Sequence, residues 1–116
     1  MSCYASGRNT DNVVALYSSL EYKIGMRVEF TKTAYKALAS IPAHILTKLK
    51  LWSAEVELHG IRAVRIQPGY HDEPLKGQRQ GQRSIRLNKA YRLIYVETAR
   101  GDVEIISVIE VSKHEY

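Results

Sequence analysis

The chain has 116 residues, 45% of them hydrophobic, which suits one domain around one modest core. No run approaches the ~20 apolar residues of a membrane span. The start lacks the basic and apolar regions of a secretory signal, and Cys3, the lone cysteine, excludes an intrachain disulfide and a cysteine-only metal site. The lone thiol fits a reducing cytoplasm, and a net charge of +5 with a pI near 9.4 favours an anionic partner.

Charge placement divides the chain. Residues 1–25 carry Arg8 and Lys23 against Asp11 and Glu21 and are neutral, so the whole excess lies in 26–116. Residues 1–10 are small and polar and read as disordered. Asp11 to Tyr22 predicts a short helix, capped by Thr10 or Asp11, with Val13, Leu16, Tyr17 and Leu20 on one side. From Met26 the sequence reads like a fresh start. Residues 1–25 are thus either a dispensable extension or an accessory segment that packs on the domain or modulates its site, and the domain proper is 26–116.

MRVEFT, from Met26, is a short alternating strand. Thr31 or Thr33 caps a helix through Ser40, with Tyr35, Leu38 and Ala39 as its apolar face. Pro42 starts a second helix at its first turn, where proline is tolerated. Ile45, Leu49, Trp52 and Val56 recur there at helical spacing, and Gly60 ends it. Trp52 on that face reads as core rather than as a base-stacking platform. Ile61, Val64 and Ile66 either prolong this helix or pack as an irregular loop, and residues 61–73 are read as a loop, with Pro68–Gly69 and Pro74 as breaks.

Ser84 to Leu87 alternates, with Ile85 and Leu87 on one face and Ser84 and Arg86 on the other. Asn88–Lys89–Ala90 is a turn, and Tyr91 to Glu97 is a strand carrying Arg92. A Gly-Asp turn at 101–102 leads to Val103–Val111, apolar on both faces, as a central strand should be. The expected fold class is α+β, ordered β-α-α-β-β-β: a helical hairpin packed on a small, curved, antiparallel-dominated sheet.

Several chemistries lack their residues. The four histidines, His44, His59, His71 and His114, form no HxH or HExxH pattern, and no metal site is expected. KGQRQGQRS lacks the GK[ST] ending of a phosphate loop, and there is no GxSxG. What remains is cationic and aromatic. RNA cleavage by internal transesterification needs a base for the ribose 2′-OH, an acid for the departing 5′-oxygen and positive charge on the phosphorane. Arginine suits the last task, histidine either of the first two. The chain offers Arg86 and Arg92 on adjacent strands, and His114 and Tyr116 just past the third. Lys76, Arg79, Arg83, Lys89 and Lys113 would tether phosphates. Any one strand arginine is also compatible with plain surface, and His114 with a frayed end. Arg92 stands out because an apolar or β-branched residue would be ordinary between Tyr91 and Leu93.

The run GYHDEPLKGQRQGQRSIRLNKAYRLIY, followed by VEIISVIEVSKHEY, resembles the HigB branch of the RelE/ParE toxin superfamily over about residues 26–116. The resemblance implies a RelE-like fold and no cofactor. It implies the toxin of a type II toxin-antitoxin system, with a helix-turn-helix, HigA-like antitoxin as partner. Its activity would be metal-independent endoribonuclease cleavage of mRNA in the ribosomal A site. Arg86 and Arg92 then match family positions at the scissile phosphate, His114 a general acid or charge stabiliser, and Tyr116 a base-stacking or proton-transferring tyrosine. Ser84 stands where RelE has a lysine two residues before the Arg86 position. Proton transfer therefore falls to His114 or Glu115, with His71 and Glu73 behind them. A ParE-like member would instead bind DNA gyrase without nuclease activity.

Overall fold

The computed structural model describes residues 26–113. The expectations for residues 1–25, His114, Glu115 and Tyr116 lie outside the described residues. In chain order the elements are β1 (Met26–Phe30), α1 (Lys32–Ala37), α2 (Ala43–His59), α3 (Ile61–Arg65), β2 (Glu73–Pro74), β3 (Gln82–Arg86), β4 (Tyr91–Arg100) and β5 (Val103–Lys113). Single 3-10 turns cover Leu38–Ser40, Pro68–Tyr70 and Gly77–Arg79.

The strands form one five-stranded sheet in the order β1-β5-β4-β3-β2. Three pairings are antiparallel, and β1 lies parallel to β5, with Met26 beside Glu104 and Phe30 beside Val108. Parallel neighbours need a crossover, and the first crossover elements here are α1 and α2. The α+β class and the antiparallel-dominated sheet are as expected. β5 has a partner on each side, which explains why Ile105, Ile106, Val108 and Val111 are all buried. It is second in the sheet, however, and β4 holds the centre. The β4–β5 turn is tight: Arg100 pairs with Val103, and Gly101 takes the positive φ of 64° that the turn demands. A bulge between Ile94 and Tyr95 shifts the register of this pair.

Thr31 ends β1 and caps α1, its Oγ1 accepting a hydrogen bond from the Ala34 N–H at 3.2 Å. Tyr35, expected on the apolar face of this helix, is 65% exposed, and Ala34 is buried instead. The small alanine lets α1 lie close on β5, and the next residue turns outward. α2 follows its pattern: Ile45, Leu49, Trp52 and Val56 are all buried. The Trp52 ring tilts at 45° against Tyr95 of β4, 5.6 Å between centroids. Such an aromatic pair adds about 0.5–1.5 kcal/mol beyond the area it buries.

The stretch 61–73 is not the loop its breaks suggested. Gly60, at φ 89°, stops α2 and redirects the chain into α3. Ile61 and Val64, one helical turn apart, are buried there, while Ile66 is left 79% exposed. A proline-led turn follows, and Glu73–Pro74 adds an edge strand to β3, with Glu73 opposite Ser84. The core lies between this helical layer and one face of the sheet.

Candidate nucleic-acid interface

The β3–β4 hairpin is built around Asn88. Its Oδ1 accepts hydrogen bonds from the Ala90 and Tyr91 N–H groups, each at 2.7 Å, while the Leu87 N–H donates to the Tyr91 carbonyl. This Asx arrangement fixes the register. The register sets Arg86 directly opposite Arg92, and Arg92 directly opposite Ser112 of β5. The two arginines expected at one phosphate are therefore cross-strand neighbours on one face, with Ser84 and Ile94 beside them. Both are half-buried. Neither forms an ion pair with a carboxylate among the described residues, and the Arg86 Nε is buried without a hydrogen-bond partner among them. Like charges placed opposite one another repel. Two guanidiniums held this way form a site for an anion whose oxygens their planar forks can grip.

Arg86, but not Arg92, also lines a cleft of about 190 Å³ at the end of β3, together with His71, Lys48, Lys89, Asn88, Leu87 and Gly69. The β2–β3 register explains His71: continuing back from the Glu73–Ser84 pair brings it level with Arg86. His71 is exposed and takes the left-handed conformation at φ 49°, the only non-glycine residue among those described to do so. Lys48 comes from α2, its ammonium 5.2 Å from the centre of the Tyr70 ring. The Tyr70 hydroxyl donates to Glu55 Oε1 at 2.7 Å, and burial, then this carboxylate, push its pKa well above the usual tyrosine range.

The expected tethering cations divide. Arg79 pairs with Glu110 at 2.7 Å and donates to Gln82 at 2.8 Å, tying the 77–79 turn to β5. Arg83 turns to Asp72, its Nε donating at 2.6 Å. The Asp72 carboxylate is 1% exposed and also accepts from the Tyr95 hydroxyl at 2.6 Å, with Arg65 Nε 3.8 Å away. Arg65 donates further to the Tyr95 hydroxyl at 3.3 Å and pairs with Glu97. Burial first, and then the Asp72 hydrogen bond, raise the Tyr95 pKa far above its ordinary value, which keeps it a neutral donor to Asp72. This clamp pins residue 72 to the sheet and so fixes where His71 stands. Lys76 is exposed in the loop, Lys89 lies at the cleft, Glu73 is exposed on the β2 edge, and Lys113 is exposed at the end of β5 opposite Tyr91. Among the described residues no group of three His, Cys, Asp or Glu side chains is placed to hold a metal ion.

The sequence reading missed Lys48, Arg65, Asp72 and Asn88. Asn88 carried a signal, since asparagine at a hairpin turn often bonds its own backbone. Lys48 and Asp72 carried none, because their partners are far along the chain.

No protein-family model and no curated protein sequence matches the chain. Solved structures do. It is similar to a YoeB/ParE toxin from Agrobacterium tumefaciens, with 23% identity, TM-score 0.55 and coverage of 78% of this chain and 100% of that one. It is similar to YafQ in the E. coli DinJ-YafQ toxin-antitoxin complex, with 19% identity, TM-score 0.60 and coverage of 77% and 92%. It is also similar to a chain of the RelBE2 toxin-antitoxin complex from Mycobacterium tuberculosis, with 24% identity, TM-score 0.54 and coverage of 76% and 96%. Each likeness spans about three quarters of this chain and nearly all of the other. With the element order and the sheet order above, the chain has the fold of the RelE/ParE toxin superfamily.

Proposed function

We propose that this chain is the toxin of a toxin-antitoxin pair and a metal-independent endoribonuclease that cleaves mRNA in the ribosomal A site. The observation that carries the reading is the Arg86–Arg92 pair: two half-buried guanidiniums in register, without a carboxylate among the described residues, beside a cleft that holds His71 and Lys48. In the proposed reaction a ribose 2′-oxygen loses its proton to a base and attacks the adjacent phosphorus. The bond to the 5′-oxygen breaks, and that oxygen takes a proton from an acid. The products are a 2′,3′-cyclic phosphate and a 5′-hydroxyl, with no net proton gained or lost. Arg86 and Arg92 stabilise the charge that builds on the phosphorane oxygens, the largest contribution such a site makes. Lys48, Lys76 and Lys89 hold flanking phosphates, and Lys113 does so at the other end of the row.

Two sources of proton carriers are proposed. His71 lines the same cleft as Arg86. His114 and Tyr116 follow Lys113, whose neighbour Ser112 lies opposite Arg92. Glu115, and Glu73 on the β2 edge, rank behind these. Cleavage by such an enzyme belongs in the cytoplasm, where its partner would be a HigA-like, helix-turn-helix antitoxin. Support for an antitoxin comes from the similar structures that are themselves toxin-antitoxin complexes.

The test is toeprinting of translating ribosomes with the wild-type chain and with Arg92→Ala. Cuts within the A-site codon that vanish in the variant support the reading. Intact mRNA together with inhibited DNA gyrase supercoiling would overturn it in favour of a ParE-like action.

A further inference from the structure

The bulge in β5 decides where one carboxylate points. Val108 lies opposite Tyr95 and Val111 opposite Leu93, and all four side chains belong to the core. Strict alternation from Val108 would turn residue 110 into the core as well. Ile109 is the extra residue that prevents this, so that Glu110 falls opposite Ile94 and Ser112 opposite Arg92. Ile94 is buried yet stands outside the core cluster, because it shares the face of Arg92. Glu110 is thereby brought to the arginine face, one strand across from Arg92 and two residues along. Such diagonal neighbours have Cα atoms about 7–8 Å apart, within reach of long side chains. Among the described strand residues no other carboxylate stands so close to Arg92 in register.

This carboxylate is held in place and still open. Arg79 Nη2 donates to its Oε1 at 2.7 Å, and the Ser112 hydroxyl donates to its Oε2 at 2.9 Å. Each oxygen keeps a further lone pair, and the side chain is 37% exposed. Besides Arg79, the charged groups near it on this face are Arg92 of β4, Arg86 of β3 and Glu73 of β2, at the far end of its own row. We propose that Glu110 is the general base of the cleavage reaction, a role that rests on the ribonuclease reading above. With the phosphate gripped by Arg86 and Arg92, the adjacent ribose 2′-hydroxyl lies towards Ser112 and Glu110. A Glu110 oxygen takes the 2′-proton as the 2′-oxygen bonds to phosphorus. The bond from phosphorus to the 5′-oxygen breaks, and that oxygen takes a proton from the acid. Afterwards Glu110 gives its proton to water and the acid regains one. Entering and leaving oxygens stand in line on opposite sides of the phosphorus. The sheet offers this arrangement, with Glu110 on the β5 side of the arginine pair and His71 on the β2 side. Arg79 and Ser112 are positioning residues, since they orient the carboxylate without meeting the reacting atoms.

The experiment is single-turnover cleavage of ribosome-bound mRNA as a function of pH, with the full chain and its Glu110→Gln, Arg79→Gln and Arg92→Ala variants. Glutamine keeps the size and an acceptor oxygen but cannot take the proton. Glu110→Gln should cut about 10²–10⁴-fold more slowly and lose the rise of rate with pH on the acidic side. Arg79→Gln breaks the same ion pair and should keep that rise, which separates lost chemistry from lost stability. A wild-type rate in Glu110→Gln overturns the inference, and so does slow cleavage with the rise intact, the mark of a structural role. If Arg92→Ala is slow while Glu110→Gln is not, the ribonuclease reading stands and the base assignment alone falls. Absence of cleavage by the wild-type chain overturns both.

Discussion

Two clusters of cations sit a few residues apart on opposite faces of the same sheet and differ in how their charge is matched. At Arg83 and Arg65 the guanidiniums surround a buried carboxylate, Asp72, and a neutral tyrosine hydroxyl, so the charges are matched inside the fold. At Arg86 and Arg92, three residues along and on the other face, the guanidiniums are cross-strand neighbours with no such match among the described residues. Identical side chains thus serve opposite ends. The first cluster fixes a loop and is finished when the protein folds. The second leaves its repulsion unmatched among the described residues, the condition that the proposed anion site requires.

Substitution in each cluster should separate these roles. Arg86→Ala or Arg92→Ala should lower mRNA cleavage roughly 10²–10³-fold, as loss of one preorganised charge stabiliser does. Melting should be unchanged or slightly raised, because a repulsion is removed; single-turnover cleavage and calorimetry together check this. A matching fall in melting temperature for both variants would show that the pair is structural after all.

Asp72→Ala should act the other way round. It leaves Arg83 and the Tyr95 hydroxyl without their acceptor. Arg83 is partly open to water, so the cost is about 2–3 kcal/mol rather than that of a fully buried pair. A domain of this size then melts roughly 10–20 °C lower, readable by calorimetry. Cleavage falls only as far as His71 loses its place.

The alkaline limb of stability sharpens the same contrast. Tyr70 and Tyr95 hold their protons more tightly folded than unfolded, because burial and an adjacent carboxylate disfavour the phenolate. Their contribution is complete below the ordinary tyrosine value of 10.0 and is lost as pH rises beyond it. Urea unfolding between pH 8 and 11 should show this decline, and Tyr95→Phe should make it shallower. The smallest effect belongs to Lys48→Gln. It should reduce the slope of log affinity against log salt for a short single-stranded RNA by roughly 0.7, the share of one phosphate contact.

The Arg86–Arg92 pair was legible because strand alternation and a short turn leave few registers for SIRLNKAYRLIY, and Trp52 was legible because its helix repeats every turn. What lay hidden depended on distant partners. Asp72 reads as a polar loop residue until Arg83 and Tyr95 fold over it, 11 and 23 residues away. Lys48 reads as a solvated helix face until residues 69–71 come alongside. Tyr35 misled because burial followed the closeness of α1 to the sheet, which favours the smaller Ala34, rather than apolar character alone.

The pairing of β1 with β5 has a consequence for how the protein is made. Met26 and Glu104 are neighbours in the sheet, yet 78 residues of synthesis separate them. While a ribosome is still making the chain, the edge strand waits without its partner, and Arg92 waits without Ser112 across from it. Contacts of such sequence separation form late, since the closure entropy of the loop comes first. A protein proposed to attack translation is therefore not assembled until its own message has been read past the β4–β5 turn.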